Sequence, residues 1–180
     1  AFTEENIHNL VMILVNISIE IGIAFGNGVY HHSGDLGLLR VSPEGDQLTG
    51  YLGWAFVKRR ADELRQMNPD TILPLKPTYL DIYYGYQRGD WLCRALVDEL
   101  AIHLGQILAW ITGLTRPDHI VLAGGVVEIG EPLLQLATQY ATELLPPDLV
   151  NAVTFSLSED QTLSVTGTLA HALDRELGIL

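Results

Sequence analysis

The chain has 180 residues, 22 acidic against 10 basic, for a net charge of −12, and nearly half of them are hydrophobic. That is enough chain for one domain with its own core and too apolar a composition for disorder. The acidity argues against a phosphate backbone as partner, and the single cysteine, Cys93, excludes an internal disulfide or a cysteine-cluster metal site.

The first apolar run, LVMILVNIS (Leu10–Ser18), is rich in β-branched residues and reads as a buried strand. A second strand is expected over Ile21–Tyr30, with the hairpin turning near Ile19-Glu20 and a further turn signal at Asn27-Gly28. LGLLRV (Leu36–Val41) completes an antiparallel meander, ended by Ser42-Pro43 and Gly45. The spacing predicts a helix over Trp54–Met67, stopped by Asn68-Pro69. Lys58-Arg59-Arg60 reads as its solvated face. Pro74, Pro77 and the aromatic TYLDIYYGYQ are read as an irregular segment.

Asp90 then offers an N-cap to a long helix. Leu92, Leu96, Leu100, Leu104, Leu108 and Ile111 recur along it at helical spacing, and Gly113 marks its expected end. Strand His119–Ala123 runs into Gly124-Gly125. A helix follows with Pro132 in its first turn and Leu133, Leu136, Tyr140 and Leu144 on one face. NAVTFSLS is a last strand and Thr166–Leu177 a last helix before Gly178. The order β-β-β-α-α-β-α-β-α describes an α/β domain, a mixed sheet with packed helices. The apolar runs are too short and too interrupted to span a bilayer, and no signal peptide is visible; the expectation is a cytoplasmic protein with no membrane partner.

With VLAGGV at a strand-to-helix turn, this order resembles a lobe of the actin-like ATPase (ribonuclease H-like) fold. Within that fold the chain resembles the ROK family of bacterial repressors, open reading frames and sugar kinases. GDWLCRALVDELAIHLGQILAWITGLTRPDHIVLAGGVVEIGEPLL looks like the family's long helix and its I-V-L-G-G-G-V turn. LSEDQTLSVTGTLAHAL, with Gly167, looks like its closing helix, and SGDLGLLRV like its A-G-E-I-G-H motif. The resemblance implies one C-terminal lobe spanning 1–180, with another lobe and any DNA-binding domain outside this chain.

The departures from the family pattern carry the functional reading. Family kinases hold ATP phosphates on a turn reading roughly G-T-G-I-G, whose glycines let backbone N–H groups approach. The stretch matched to it is Ser18-Ile19-Glu20-Ile21-Gly22, where only Gly22 remains and Glu20 brings a negative charge. Phosphoryl transfer depends on positioning and charge stabilisation, so this turn argues against catalysis. The family's zinc-binding C-x-C-G-x-x-G-C run corresponds to the cysteine-free EGDQLTGYLGW, and its histidine of G-E-I-G-H to Leu38, so no zinc and no other cofactor is expected. His31-His32 read as a surface turn, and His103 as a helix-packing or partly exposed residue. No counterpart of the family's catalytic aspartate precedes Leu10, so no catalytic residue is assigned.

Asp35 stands where the family has a sugar-binding glutamate; lying between glycines, it also suits a turn, and the turn reading is preferred over the effector ligand. Gly124 and Gly125 stand where the superfold approaches adenine and ribose, but a tight strand-to-helix turn needs glycine in any case. With Gly22 they are the remnants of a nucleotide site. The reading that results is a catalytically inactive lobe of a sugar-responsive transcriptional regulator, sensing a small sugar or sugar phosphate, holding a homodimer, or both. DNA binding would reside in an N-terminal domain rather than in this chain. The alternatives are a lobe of a sugar kinase and a dimerisation scaffold without a ligand. A dimer is expected from the long helix, which presents Trp91, Ala95, Ile102, Ala109 and Trp110 beside its leucine stripe.

Overall fold

Alternation of inward and outward residues builds the sheet. The computed structural model describes residues 9–25, 30–40 and 42–158. In β1 (Asn9–Val15), Val11, Ile13 and Val15 are fully buried. β2 (Ile19–Phe25) sets Ile19 opposite Val15 and Ile21 opposite Ile13. β3 (Tyr30–Asp35) pairs antiparallel with β2, while β4 (His119–Ala123) and β5 (Thr154–Leu157) join on the other side in parallel. The sheet order is β3-β2-β1-β4-β5. Register places Ile120 beside Val11 and Leu122 beside Ile13, so one face is a continuous apolar surface.

The helices cover that surface. α1 (Thr49–Leu52) and α2 (Trp54–Met67) precede α3 (Tyr79–Gln87) and the long α4 (Trp91–Thr115). A 3-10 turn (Gly125–Ile129), α5 (Glu131–Leu144) and the short α6 (Pro147–Val150) follow β4. The leucine stripe of α4 is buried throughout, each side chain contributing about 1.5–3 kcal/mol of hydrophobic stabilisation. By length and composition α4 could cross a membrane, but 61% of its most apolar window is buried inside this domain. Asp90 caps α4 by accepting from Cys93 N at 3.0 Å, and it also accepts from Ile72 N and Thr71 Oγ1. The Cys93 thiol is buried against Gly85 of α3; desolvation, with Asp90 nearby, pushes it up to about 12.

Several sequence expectations change. The first hairpin turns at Asn16–Ser18 rather than near Ile19-Glu20, because Ile19 and Ile21 are already drawn into the core as alternate strand residues. The third strand is Tyr30–Asp35 rather than Leu36–Val41. Asp35 accepts from Gly37 N at 2.8 Å and folds Leu36–Leu38 into a 3-10 turn, which leaves Leu38 62% exposed. His31 and His32 therefore lie in a strand and not a turn, paired with Ala24 and Ile23. TYLDIYYGYQ is helical: Thr78 and Asp81 form a reciprocal capping box that starts α3. α4 runs past Gly113 to Thr115, and Arg116 at φ 45° ends it.

On α5 the buried residues are Leu133, Leu134, Ala137 and Ala141, with Leu144 exposed. The small residues face α4 because the two helices approach closely at Gly105. The Asn27-Gly28 turn, the Thr166–Leu177 helix and Gly167 lie outside the described residues.

The cysteine-free stretch Glu44–Trp54, matched to the family's zinc-binding run, contains α1. Leu48 and Leu52 enter the core, and Thr49 Oγ1 donates to Gly37 O at 2.7 Å. Hydrophobic burial thus anchors this segment. Among the described residues no group of three or more His, Cys, Asp or Glu could hold a metal ion. His103 is half-buried between Tyr51 and Phe56, and desolvation lowers its pKa. In the basic triplet, Arg60 grips Glu99 of α4 and also reaches Glu63, while Lys58 and Arg59 remain exposed.

Candidate functional site

Parallel strands β1 and β4 lie side by side, so their C-terminal ends open together at one edge of the sheet. In open α/β sheets that position is where ligands bind. β1 leaves through the Asn16–Ser18 turn and β4 through Gly124-Gly125. Gly124 adopts φ 89°, ψ −173°, a conformation essentially confined to glycine. A Cβ there would lie 2.5 Å from Val15 O and 2.9 Å from Asn16 Oδ1. The double glycine thus lets the two strand ends touch.

Asn16 ties the crevice together. Its Oδ1 accepts from Gly125 N at 2.6 Å, its backbone O accepts from Trp54 N at 3.0 Å, and its N donates to Ser18 O. Tyr79 forms the next wall. A Cβ on Gly125 would lie 3.1 Å from its ring, and Trp54 packs against that ring edge-on with centroids 4.6 Å apart. The Tyr79 hydroxyl is buried without a hydrogen-bond partner among the described residues. Desolvation, helped by the charge of Glu128, pushes the phenol well above its ordinary pKa.

The rim is acidic. Glu20 and Asp35 are directly opposed across β2 and β3, both exposed, and Ser18 Oγ donates to Glu20 Oε1 at 2.8 Å. Ile17, at the apex of the turn, is 78% exposed. Beyond the double glycine an open cleft of about 410 Å³ runs between Leu80, Tyr83 and Gln87 of α3 and the segment Glu128–Gln135, where Glu128 and Glu131 add carboxylates.

The structure therefore gathers part of the expected set. Gly124 and Gly125 lie in the crevice. Gly22 lies inside β2, paired with Met12 and Ser33, and among the described residues nothing beyond its chain neighbours comes within 4 Å of where its Cβ would be. Asp35 lies on the rim with one carboxylate oxygen engaged by Gly37 N, a turn role. Asn16 and Tyr79 were not foreseen. The Thr78-x-x-Asp81 pattern carried the signal for α3 and so for Tyr79; nothing local marks Asn16, whose partner lies across the sheet.

The ROK family model matches residues 55–175. A glucokinase of Halalkalibacterium halodurans is 23% identical over 168 residues, covering 82% of this chain and 51% of that protein. Among solved structures, a ROK family transcriptional regulator, a homologue of the E. coli MLC protein, superposes with a TM-score of 0.75 at 18% identity, over 85% of this chain and 42% of the other. A ROK family glucokinase from Streptomyces griseus, solved with glucose and AMPPNP, gives a TM-score of 0.69 at 19% identity, over 87% of this chain and 57% of the other. The chain spans about half the length of the curated relative it matches. These likenesses bear out the actin-like ATPase fold expected from the sequence.

Proposed function

This chain belongs to the ROK family, and from that premise we propose that it is the effector-sensing and dimerising lobe of a sugar-responsive transcriptional regulator, without kinase activity. The observation that carries the reading is the β1–β2 turn. Of Ser18-Ile19-Glu20-Ile21-Gly22, the stretch matched to the glycine cradle, Ile19–Gly22 lie in β2, the turn itself is Asn16-Ile17-Ser18, and its rim bears the carboxylates of Glu20 and Asp35. Backbone N–H groups and positive charge hold transferring phosphates; this edge offers a spent N–H and negative charge. The second carboxylate oxygen of Asp35 suits a sugar hydroxyl donor better than a phosphate. Likeness to a ROK family transcriptional regulator supports the reading at the level of fold.

The dimer surface is the outer face of α4. Trp91, Ala95 and Ala109 pack within the lobe, while Ile102, Trp110 and Leu114 stay 36%, 48% and 84% exposed. DNA contact would belong to a separate domain of the full-length protein, and the compartment would be the cytoplasm.

A sugar kinase is the second reading, favoured by the glucokinases among the relatives. Calorimetry with Mg-ATP decides between them. The regulator reading expects no micromolar heat of binding, and a clear micromolar isotherm overturns it. The gene sequence preceding Ala1 is an independent check: a helix-turn-helix supports the regulator, and an aspartate-bearing N-D-A-N-A-like motif alone supports the kinase.

A further inference from the structure

We infer that Asn16 is a built-in occupant of the crevice at the ends of β1 and β4, a specificity-determining residue that excludes anionic ligands from it; this deepens the reading of the lobe as catalytically silent. The Gly125 N–H is the group that the double glycine would offer to a ligand, since Gly124 turns the chain and leaves that N–H pointing across the strand ends. Asn16 Oδ1 takes it at 2.6 Å, from 109 residues away in sequence. The asparagine is preorganised for this. Its backbone N–H and C=O are both engaged, with Ser18 O and Trp54 N, so the side chain starts from a fixed position.

The surroundings reinforce the exclusion. The Tyr79 ring closes one side of Gly125 and is itself held by Trp54. An entering anion would have to displace the amide oxygen and strip Gly125 N of a hydrogen bond in a part-buried site. It would do so near the carboxylate of Glu128, whose charge acts on Tyr79. The displaced oxygen would then need another donor, and burial makes its loss costly. Asn16 therefore closes the crevice by contact, independently of the charge on the rim.

Amide hydrogen exchange at Gly125 reads this contact directly. In the unaltered chain the Gly125 N–H is expected to be protected. Asn16→Ala is expected to speed its exchange about tenfold, with amides in the α4 core, such as Leu100 and Ile107, unchanged. Asn16→Asp retains an acceptor and should keep Gly125 protected. Equal Gly125 exchange in the unaltered chain and Asn16→Ala overturns the inference. So does acceleration shared equally by the α4 core, which would mean global destabilisation. The outcome is separable from that of the silent-lobe reading. Micromolar Mg-ATP binding sinks both that reading and the exclusion of anions, whereas unprotected Gly125 without ATP binding sinks the Asn16 contact alone.

Discussion

Gly105 of α4 lies so close to Ala137 of α5 that a Cβ at position 105 would sit 2.8 Å from the Ala137 carbonyl oxygen and 2.6 Å from Tyr140 Cβ. The obstruction is backbone, which cannot rotate away. Gly105→Ala is expected to destabilise by about 1–3 kcal/mol through overpacking, despite alanine's better helix propensity. Gly113, on the same helix, has no atom of the described residues within 4 Å of its would-be Cβ beyond its own helix backbone. Gly113→Ala should therefore stabilise by up to about 1 kcal/mol. Urea unfolding of the two variants tests the pair, and shifts of the same sign would refute the helix contact.

Gly124→Ala forces a Cβ into a φ of 89° and against Val15 O. Backbone strain of ~1–3 kcal/mol and a steric term of similar size both apply. The expected loss is at least about 2 kcal/mol. An unchanged urea midpoint would show that the strand ends do not touch.

Asp90 contributes stability that depends on pH. Burial raises its pKa, but hydrogen bonds from Cys93 N, Ile72 N and Thr71 Oγ1 outweigh that and hold the carboxyl below its ordinary value. A depressed folded-state pKa means stability that is fully present above the unfolded value of about 3.9. It is lost as the pH falls through the lower, folded value. Asp90→Ala should cost about 1 kcal/mol at neutral pH. It should also flatten the acid limb of the stability curve. An identical acid limb in both proteins would exclude Asp90 as its source.

Trp110 and Leu114 test the dimer. A two-fold contact through the outer face of α4 should bury at least about 1,000 Å² in total. Trp110→Glu places a charge at its centre. Sedimentation equilibrium is expected to give dimer mass for the unaltered chain and monomer mass for the variant, with circular dichroism unchanged. Monomer mass for the unaltered chain across micromolar concentrations would remove this surface from the functional reading.

Local chemistry was enough for much of this protein. The leucine stripe announced α4, Asp90 its start, and the β-branched runs the central strands, because burial on one face imposes a period that any window reveals. The double glycine announced a close approach, since φ near 90° admits little else. Tertiary structure decided the rest. The alanine face of α5 is buried because α4 comes close at Gly105, which no property of α5 alone encodes. The first turn lies at Asn16–Ser18 because Ile19 is claimed by a core built from β1, α2 and α4. The residue that fills the crevice, Asn16, meets Gly125 only after the parallel pairing of β1 and β4 has brought two distant segments together. A hydrogen bond between groups so far apart in sequence exists only when the sheet does, so its donor and acceptor leave no periodicity and no motif in the chain.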